Sequence, residues 1–131
     1  MSQEFNIQIQ GLKLSGLKLG ALTEGSTHTA ISIDLDVEDQ AAHPAERILV
    51  IHGWQDNAAS FIPLIQASLK YRPRLEVIAL DLPGHGLSDW RSPDADYHFV
   101  SWVRDVVRAL DVLQWDRCSL IGHSMGAAVA T

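Results

Sequence analysis

Three short apolar runs restrict the fold of this chain more than any other feature. They are Ile48–Ile51, Leu75–Leu80 and Ser119–Ile121. The first of these runs is typical of a strand that is covered on both faces. Helical patterns separate them, one around Ser60–Leu69 and one over Phe99–Leu113, where apolar residues recur at spacings of three and four. The order strand, helix, strand, helix, strand predicts parallel pairing with right-handed crossovers. The fold class is therefore α/β.

The residues before Pro44 have a different pattern, which is typical of antiparallel strands. In several segments apolar residues alternate with polar ones, and the period is two. These segments are Phe5–Ile9, Leu12–Leu14, Leu17–Leu19 and Ile31–Val37. The alternation changes phase at Gly11 and again at Gly16, so we expect a turn or a bulge at each glycine.

Length and charge limit the class of protein. A chain of 131 residues can form one compact domain. We predict a single domain, with N-terminal β-strands in residues 1–46 and a parallel α/β core in residues 47–131. The net charge of −6 argues against a nucleic-acid or anionic-membrane partner.

The sequence shows no membrane span, leader or cofactor motif. It contains no run of eighteen apolar residues, and its first twenty residues lack a hydrophobic leader. The single cysteine, Cys118, cannot form an intrachain disulfide. We therefore expect a cytoplasmic protein. Neither a metal-ligand spacing nor a phosphate-binding loop is visible, so we expect no metal and no cofactor.

The strongest chemical signal is the segment Gly122–Gly126, whose sequence Gly-His-Ser-Met-Gly fits G-x-S-x-G. It lies between an apolar strand and the small residues Ala127–Ala130, which can begin a helix. A serine at such a sharp turn is held in a strained conformation with its hydroxyl exposed. Glycines two residues away on either side let neighbouring backbone approach. Ser124 is therefore the candidate nucleophile.

A second signal, His52-Gly53-Trp54, follows the first of the parallel strands. Ligands of open α/β sheets bind just beyond the carboxyl ends of the strands. We expect the backbone amides of Trp54 and Met125 to form an oxyanion hole beside Ser124. The side chains of Trp54 and His123 are candidate substrate contacts, and His123 can equally pack beside the turn.

The sequence resembles the α/β-hydrolases, and residues 47–131 carry the resemblance. Three motifs occur in that family's order and spacing: His52-Gly53-Trp54, the segment Asp81–Ser88 and the segment Gly122–Gly126. The stretch His52–Phe61 is most similar to the serine hydrolase-like subgroup. The resemblance implies that Ser124 is a nucleophile and that the amides of Trp54 and Met125 are oxyanion donors. A serine at this position argues against the epoxide-hydrolase and haloalkane-dehalogenase branches, whose nucleophile is a carboxylate.

The family's catalytic triad runs serine, acid, histidine along the chain. Residues 125–131 contain neither an acid nor a histidine, and all six histidines precede Ser124. We therefore expect an N-terminal part of a hydrolase that is inactive alone.

The resemblance implies that the complete protein hydrolyses an ester, a thioester or a related acyl bond of a small molecule through an acyl-Ser124 intermediate. Acyl transfer and carbon–carbon cleavage use the same serine turn within this fold, so both reactions remain open alternatives to hydrolysis. The alternative is a truncated product or pseudoenzyme with at most a binding role. The oligomeric state is not predicted.

Other polar residues near these motifs have structural interpretations. The resemblance implies that His52 braces neighbouring loops. Asp81 is expected to fix a loop by hydrogen bonds rather than to act in catalysis. Asp56 and Asn57 are expected to cap the helix that follows them.

Overall fold

The computed structural model describes residues 2–20 and 46–131, and the predicted strand Ile31–Val37 lies outside them. Five strands form one sheet in the order β1-β2-β4-β3-β5. In chain order the elements are β1 (Gln3–Ile9), β2 (Leu12–Gly20), β3 (Arg47–Ile51), a 3₁₀ turn (Ala58–Phe61), α1 (Ile62–Tyr71), β4 (Glu76–Leu80), α2 (Phe99–Leu113), β5 (Ser119–Gly122) and α3 (Met125–Val129).

The three predicted apolar strands form the parallel part of the sheet. Strand β3 lies between β4 and β5 and pairs with both in parallel, so that Leu49 is opposite Ile78 on one side and Leu120 on the other. Helices α1 and α2 make the two crossovers. The predicted strand–helix alternation is therefore confirmed. Strand β5 pairs with β3 alone among the described strands.

The two N-terminal strands form a hairpin that joins this sheet through β2. Gln10 and Gly11 both have positive φ values, 39° and 84°, as a tight two-residue hairpin turn requires. The predicted turn at Gly11 is confirmed. Strand β2 then runs antiparallel to β4, with Gly16 opposite Leu80.

The expected bulge or turn at Gly16 is wrong, because β2 pairs without interruption with both of its neighbours. The change of phase has another cause. Leu14 packs into the core on one face of the sheet, whereas Leu19 packs into the core on the other face. Glycine is needed at position 16 because a Cβ there would lie 2.5 Å from the Ala79 carbonyl oxygen.

Strands β3 and β4 are covered on both faces of the sheet, whereas Leu120 and Ile121 of β5 are exposed. On one face Leu49, Ile51 and Leu80 pack against Trp102 and Val106 of α2. On the other face Val50, Val77 and Ala79 pack around Ile65 of α1. Within residues 2–20 and 46–131, the helices are too short or too polar to cross a bilayer. The carboxyl ends of β3, β4 and β5 lead directly into the loops of the candidate site.

Candidate active site

Ser124 occupies a sharp turn between a strand and a helix. Strand β5 ends at Gly122 and α3 begins at Met125. Ser124 between them has φ 54° and ψ −118°, and its side chain is exposed. A positive φ is rarely adopted by residues other than glycine and costs on the order of 1–3 kcal/mol. The predicted strained backbone at Ser124 is therefore confirmed.

The two glycines of the motif let backbone segments meet at this turn. A Cβ on Gly122 would lie 2.3 Å from the carbonyl oxygen of Gly126. A Cβ on Gly126 would lie 2.2 Å from the carbonyl oxygen of Ile51. Real Cβ atoms do not approach carbonyl oxygens so closely, so a larger residue would push α3 away from β5 at position 122 and away from β3 at position 126. The predicted reason for glycine at both positions is confirmed.

The loop that follows β3 packs directly against the serine. A Cβ on Gly53 would be 3.3 Å from the Cβ of Ser124, and the amide of His123 donates a hydrogen bond to the Ile51 carbonyl at 3.0 Å. Trp54 is the residue directly after Gly53, which lies against Ser124. Within the described part of the chain, the amides of Trp54 and Met125 donate to no backbone carbonyl. Their convergence on the serine hydroxyl stays a prediction.

His52 is buried completely and uses both ring nitrogens. Its Nδ1 lies 2.7 Å from the Gly53 carbonyl oxygen, and its Nε2 accepts a hydrogen bond from the Leu82 amide at 3.0 Å. Burial lowers the pKa of His52, and the nearby Gly53 carbonyl opposes that effect only in part. A neutral ring with its proton on Nδ1 satisfies both contacts. His52 therefore braces the loops after β3 and β4, as the resemblance implied.

Asp81 and the capping residues hold the same loops. One carboxylate oxygen of Asp81 accepts the Ala58 amide at 2.7 Å, and the other accepts the Leu87 amide at 3.0 Å. Asn57 Oδ1 accepts the Ala59 amide at 2.9 Å and caps the 3₁₀ turn, while Asp56 accepts the Ser60 hydroxyl. The loop-fixing interpretation of Asp81 and the capping interpretation of Asn57 are confirmed. Asp56 instead precedes the cap and holds the Asn57 amide and the Ser60 hydroxyl.

An aromatic cluster lies beside Trp54. The Trp54 ring meets His85 edge-on at 5.7 Å and Trp102 at 5.6 Å between ring centroids. These rings belong to the wall of a cavity of about 200 Å³. Its lining residues are Trp54, Gln55, Gly84, His85, Trp90, Tyr97 and Trp102.

Of the residues that line this cavity, the sequence analysis named only Trp54 as a substrate contact, and it missed Trp90, Tyr97 and Trp102. These residues are far from Trp54 in sequence, and the only signal was their aromatic character in the stretch after the Asp81 loop. His123 is exposed and is not among the lining residues of this cavity. Its role as a substrate contact stays a prediction.

A buried ion pair supports the segment that carries Trp90 and Tyr97. The guanidinium of Arg91 contacts the carboxylate of Asp105 on α2, and the Asp105 side chain is only 1% exposed. The Arg91 amide donates to the Tyr97 hydroxyl at 2.8 Å. Burial raises the pKa of Asp105, and the neighbouring Arg91 counteracts that rise.

Within residues 2–20 and 46–131, no three His, Cys, Asp or Glu side chains cluster as a metal site would require.

The fold and the serine turn define an α/β-hydrolase, and comparison with known families agrees. A family model described as the alpha/beta hydrolase fold matches residues 46–131. The chain belongs to this family.

Curated relatives place the chain near one subgroup. A serine hydrolase-like protein from Danio rerio is 43% identical over 86 residues, which cover 63% of this chain and 24% of the relative. The human serine hydrolase-like protein is 40% identical over 85 residues, which cover 63% of this chain and 39% of the relative. The chain therefore spans between about a quarter and two fifths of these relatives' length. The resemblance drawn from the motifs is confirmed.

Solved structures show the same architecture over nearly the whole chain. A hypothetical protein from Pseudomonas aeruginosa PAO1 is 30% identical with a TM-score of 0.70, covering 97% of this chain and 36% of that one. The epoxide hydrolase of Aspergillus niger has a TM-score of 0.72 at 21% identity, covering 97% of this chain and 29% of that one. The second likeness shows the fold alone.

Proposed function

We propose that the full-length protein is a serine hydrolase that cleaves an ester, a thioester or a related acyl bond of a small molecule through an acyl-Ser124 intermediate. One observation carries the proposal. Ser124 is exposed, has a positive φ between β5 and α3, and lies against Gly53 in the loop after β3. This is the arrangement that a G-x-S-x-G nucleophile requires.

In the proposed reaction the Ser124 hydroxyl attacks the carbonyl carbon of the substrate. Negative charge develops on the carbonyl oxygen, and the amides of Trp54 and Met125 donate hydrogen bonds to it. Each donor of this kind lowers the barrier by about 3 kcal/mol. The catalytic base that takes the Ser124 proton passes it to the leaving oxygen or sulfur, so the tetrahedral intermediate expels an alcohol or thiol and leaves an acyl-enzyme. Water then attacks the acyl carbon, which releases the carboxylic acid product and regenerates the Ser124 hydroxyl.

The proposed chemistry needs a base for the serine proton. His52 is poorly suited because its two nitrogens face the Gly53 carbonyl and the Leu82 amide. Residues 125–131 contain no histidine and no acid. We therefore place the catalytic acid and histidine in additional sequence of the full-length protein, in accord with the greater length of its relatives.

The test uses the full-length protein and an activated ester such as 4-nitrophenyl acetate. Ser124→Ala should abolish turnover, and a fluorophosphonate should add its mass to the wild type but not to the variant. Ser119→Ala is a matched control, since Ser119 is an exposed serine on β5, the strand that precedes the turn, and should remain dispensable. Turnover or labelling that survives in Ser124→Ala would overturn the proposal.

A further inference from the structure

The cavity beside Trp54 has a wall made largely of rings. Trp54, His85, Trp90, Tyr97 and Trp102 all line it. Trp102 donates its indole N–H to the Pro83 carbonyl at 3.2 Å, so that ring is fixed. Tyr97 lies 5.9 Å from Trp102 and 6.4 Å from Trp90 between centroids. The cavity is thus bounded by rings that already pack edge-on or tilted against one another.

The charge of the wall indicates what the cavity can bind. Among the residues that the structure describes, no carboxylate, ammonium or guanidinium group lines it. An anion would lose its hydration there without gaining a partner. A cation would meet a like charge, because the guanidinium carbon of Arg91 already lies 5.7 Å from the centroid of the Tyr97 ring. A neutral apolar group would instead gain from burial. Aromatic walls also favour an aromatic ligand, because edge-to-face pairs add about 0.5–1.5 kcal/mol beyond the area that they bury.

The size of the cavity restricts the ligand further. An apolar cavity of about 150 Å³ holds one benzene molecule. The volume here is about 200 Å³, enough for one six-membered ring with a short link. Gly84 contributes to this shape, because a Cβ there would lie 2.8 Å from the Tyr97 ring.

Trp54 connects the cavity to the serine. Its backbone follows Gly53, which packs against Ser124, and its ring forms part of the cavity wall. Resting on the proposed function, we propose that the cavity is a substrate subsite for a single neutral aromatic ring. The preferred substrates are then esters or related acyl compounds that carry one such ring close to the scissile bond.

A binding experiment tests the cavity independently of the chemistry. The full-length Ser124→Ala variant is titrated with phenylacetamide, and cyclohexylacetamide and acetamide serve as comparisons. Phenylacetamide should bind most tightly. Adding Trp90→Ala should weaken it by about tenfold, the loss expected for one aromatic contact. Trp90 is 73% exposed, so its removal leaves the core intact. Tyr71→Ala is the matched control, since Tyr71 is an 86% exposed ring on α1.

A turnover experiment tests the subsite in the active protein. The ratio of kcat/KM for methyl phenylacetate to that for methyl acetate should fall by about tenfold in Trp90→Ala and not in Tyr71→Ala. Benzyl acetate, which carries its ring on the alcohol side, shows which part of the substrate enters the cavity. A fall in the corresponding ratio for either ring ester supports the subsite.

The outcomes separate the two proposals. If Ser124 is not the nucleophile, phenylacetamide still binds in a Trp90-dependent way while turnover survives Ser124→Ala. If the cavity is not the subsite, hydrolysis depends on Ser124 but Trp90→Ala changes neither the binding nor either ratio. Equal affinity for phenylacetamide and cyclohexylacetamide would also overturn the aromatic subsite.

Discussion

The Nε2 atom of His52 accepts a hydrogen bond at 3.0 Å from the backbone amide of Leu82, and this contact joins the loops after β3 and β4. The other nitrogen, Nδ1, faces the carbonyl oxygen of Gly53. Protonation of the ring would place an N–H at Nε2 against the N–H of Leu82, and the acceptor of this hydrogen bond would be lost. The neutral ring is therefore part of the structure that presents Gly53 to Ser124.

The lowered pKa of His52 makes stability depend on pH. The unfolded state takes up a proton near pH 6.5, whereas the native state does so only at lower pH. The free energy of unfolding should therefore fall as the pH drops below 6.5 toward the native pKa, by at most about 1.4 kcal/mol per pH unit. Urea unfolding between pH 7.5 and 5.5 measures this slope. His52→Gln should reduce it, whereas His98→Gln, at an exposed histidine, should not. If the wild type, His52→Gln and His98→Gln showed the same dependence of the unfolding free energy on pH, His52 would not be the group that titrates.

The glycines of the serine turn should be far less replaceable than the hairpin glycine. Gly126→Ala forces a Cβ to within 2.2 Å of the Ile51 carbonyl, so we expect about 3 kcal/mol of destabilisation. Gly11→Ala is the control, because a Cβ there meets nothing within 4 Å and only the positive φ is strained. We expect about 1 kcal/mol at that position. Thermal unfolding measures both losses, and similar values would contradict the close approach of α3 to β3.

The sequence predicted the parts of this fold whose signals are local. The run Ile48–Ile51 is apolar and continuous because Leu49, Val50 and Ile51 are buried on the two faces of the sheet, whereas Leu120 and Ile121 of β5 are 38% and 36% exposed. The G-x-S-x-G pattern predicted the strained backbone of Ser124. Backbone segments pass so close to Gly122 and Gly126 that only glycine fits there, which is why the motif has a glycine at both positions.

Other features depend on contacts between distant residues and could not be predicted. The change of phase at Gly16 does not by itself tell a bulge from a straight strand that is buried on opposite faces at its two ends, because that burial depends on α1 and α2. The aromatic cavity likewise brings Trp54 together with Tyr97 and Trp102, which only the folded loops place side by side.

The ion pair between Arg91 and Asp105 should show strong coupling. Arg91→Met leaves the buried carboxylate of Asp105 without its partner, and we expect a loss of about 3–5 kcal/mol. The double variant Arg91→Met with Asp105→Leu should recover much of that stability, because no buried charge remains. Urea unfolding of the two single variants and the double variant gives the coupling energy. Additive losses would show that the two side chains do not depend on each other.

Asp81 should matter for both stability and activity. Asp81→Asn replaces one of two acceptors by an N–H group that faces an amide donor, so either Ala58 or Leu87 loses its partner. We expect about 1–3 kcal/mol of destabilisation and a lower kcat/KM, because the loop that carries Trp54 shifts. Asp116→Asn, at an exposed aspartate, is the control for the change of charge. A variant of Asp81 with wild-type stability and turnover would contradict the bracing role.

Residues 1–131 alone should show no hydrolysis that depends on Ser124. A serine hydroxyl without a base to accept its proton is a weak nucleophile, and the two proposed oxyanion donors cannot replace that base. The measurement is the hydrolysis of 4-nitrophenyl acetate by residues 1–131, with the same segment carrying Ser124→Ala as the blank and the full-length protein as the positive control. Turnover by the segment that disappears in Ser124→Ala would identify an upstream histidine as the base. His85, which packs 4.9 Å from His52 between ring centroids, would then be the first residue to replace.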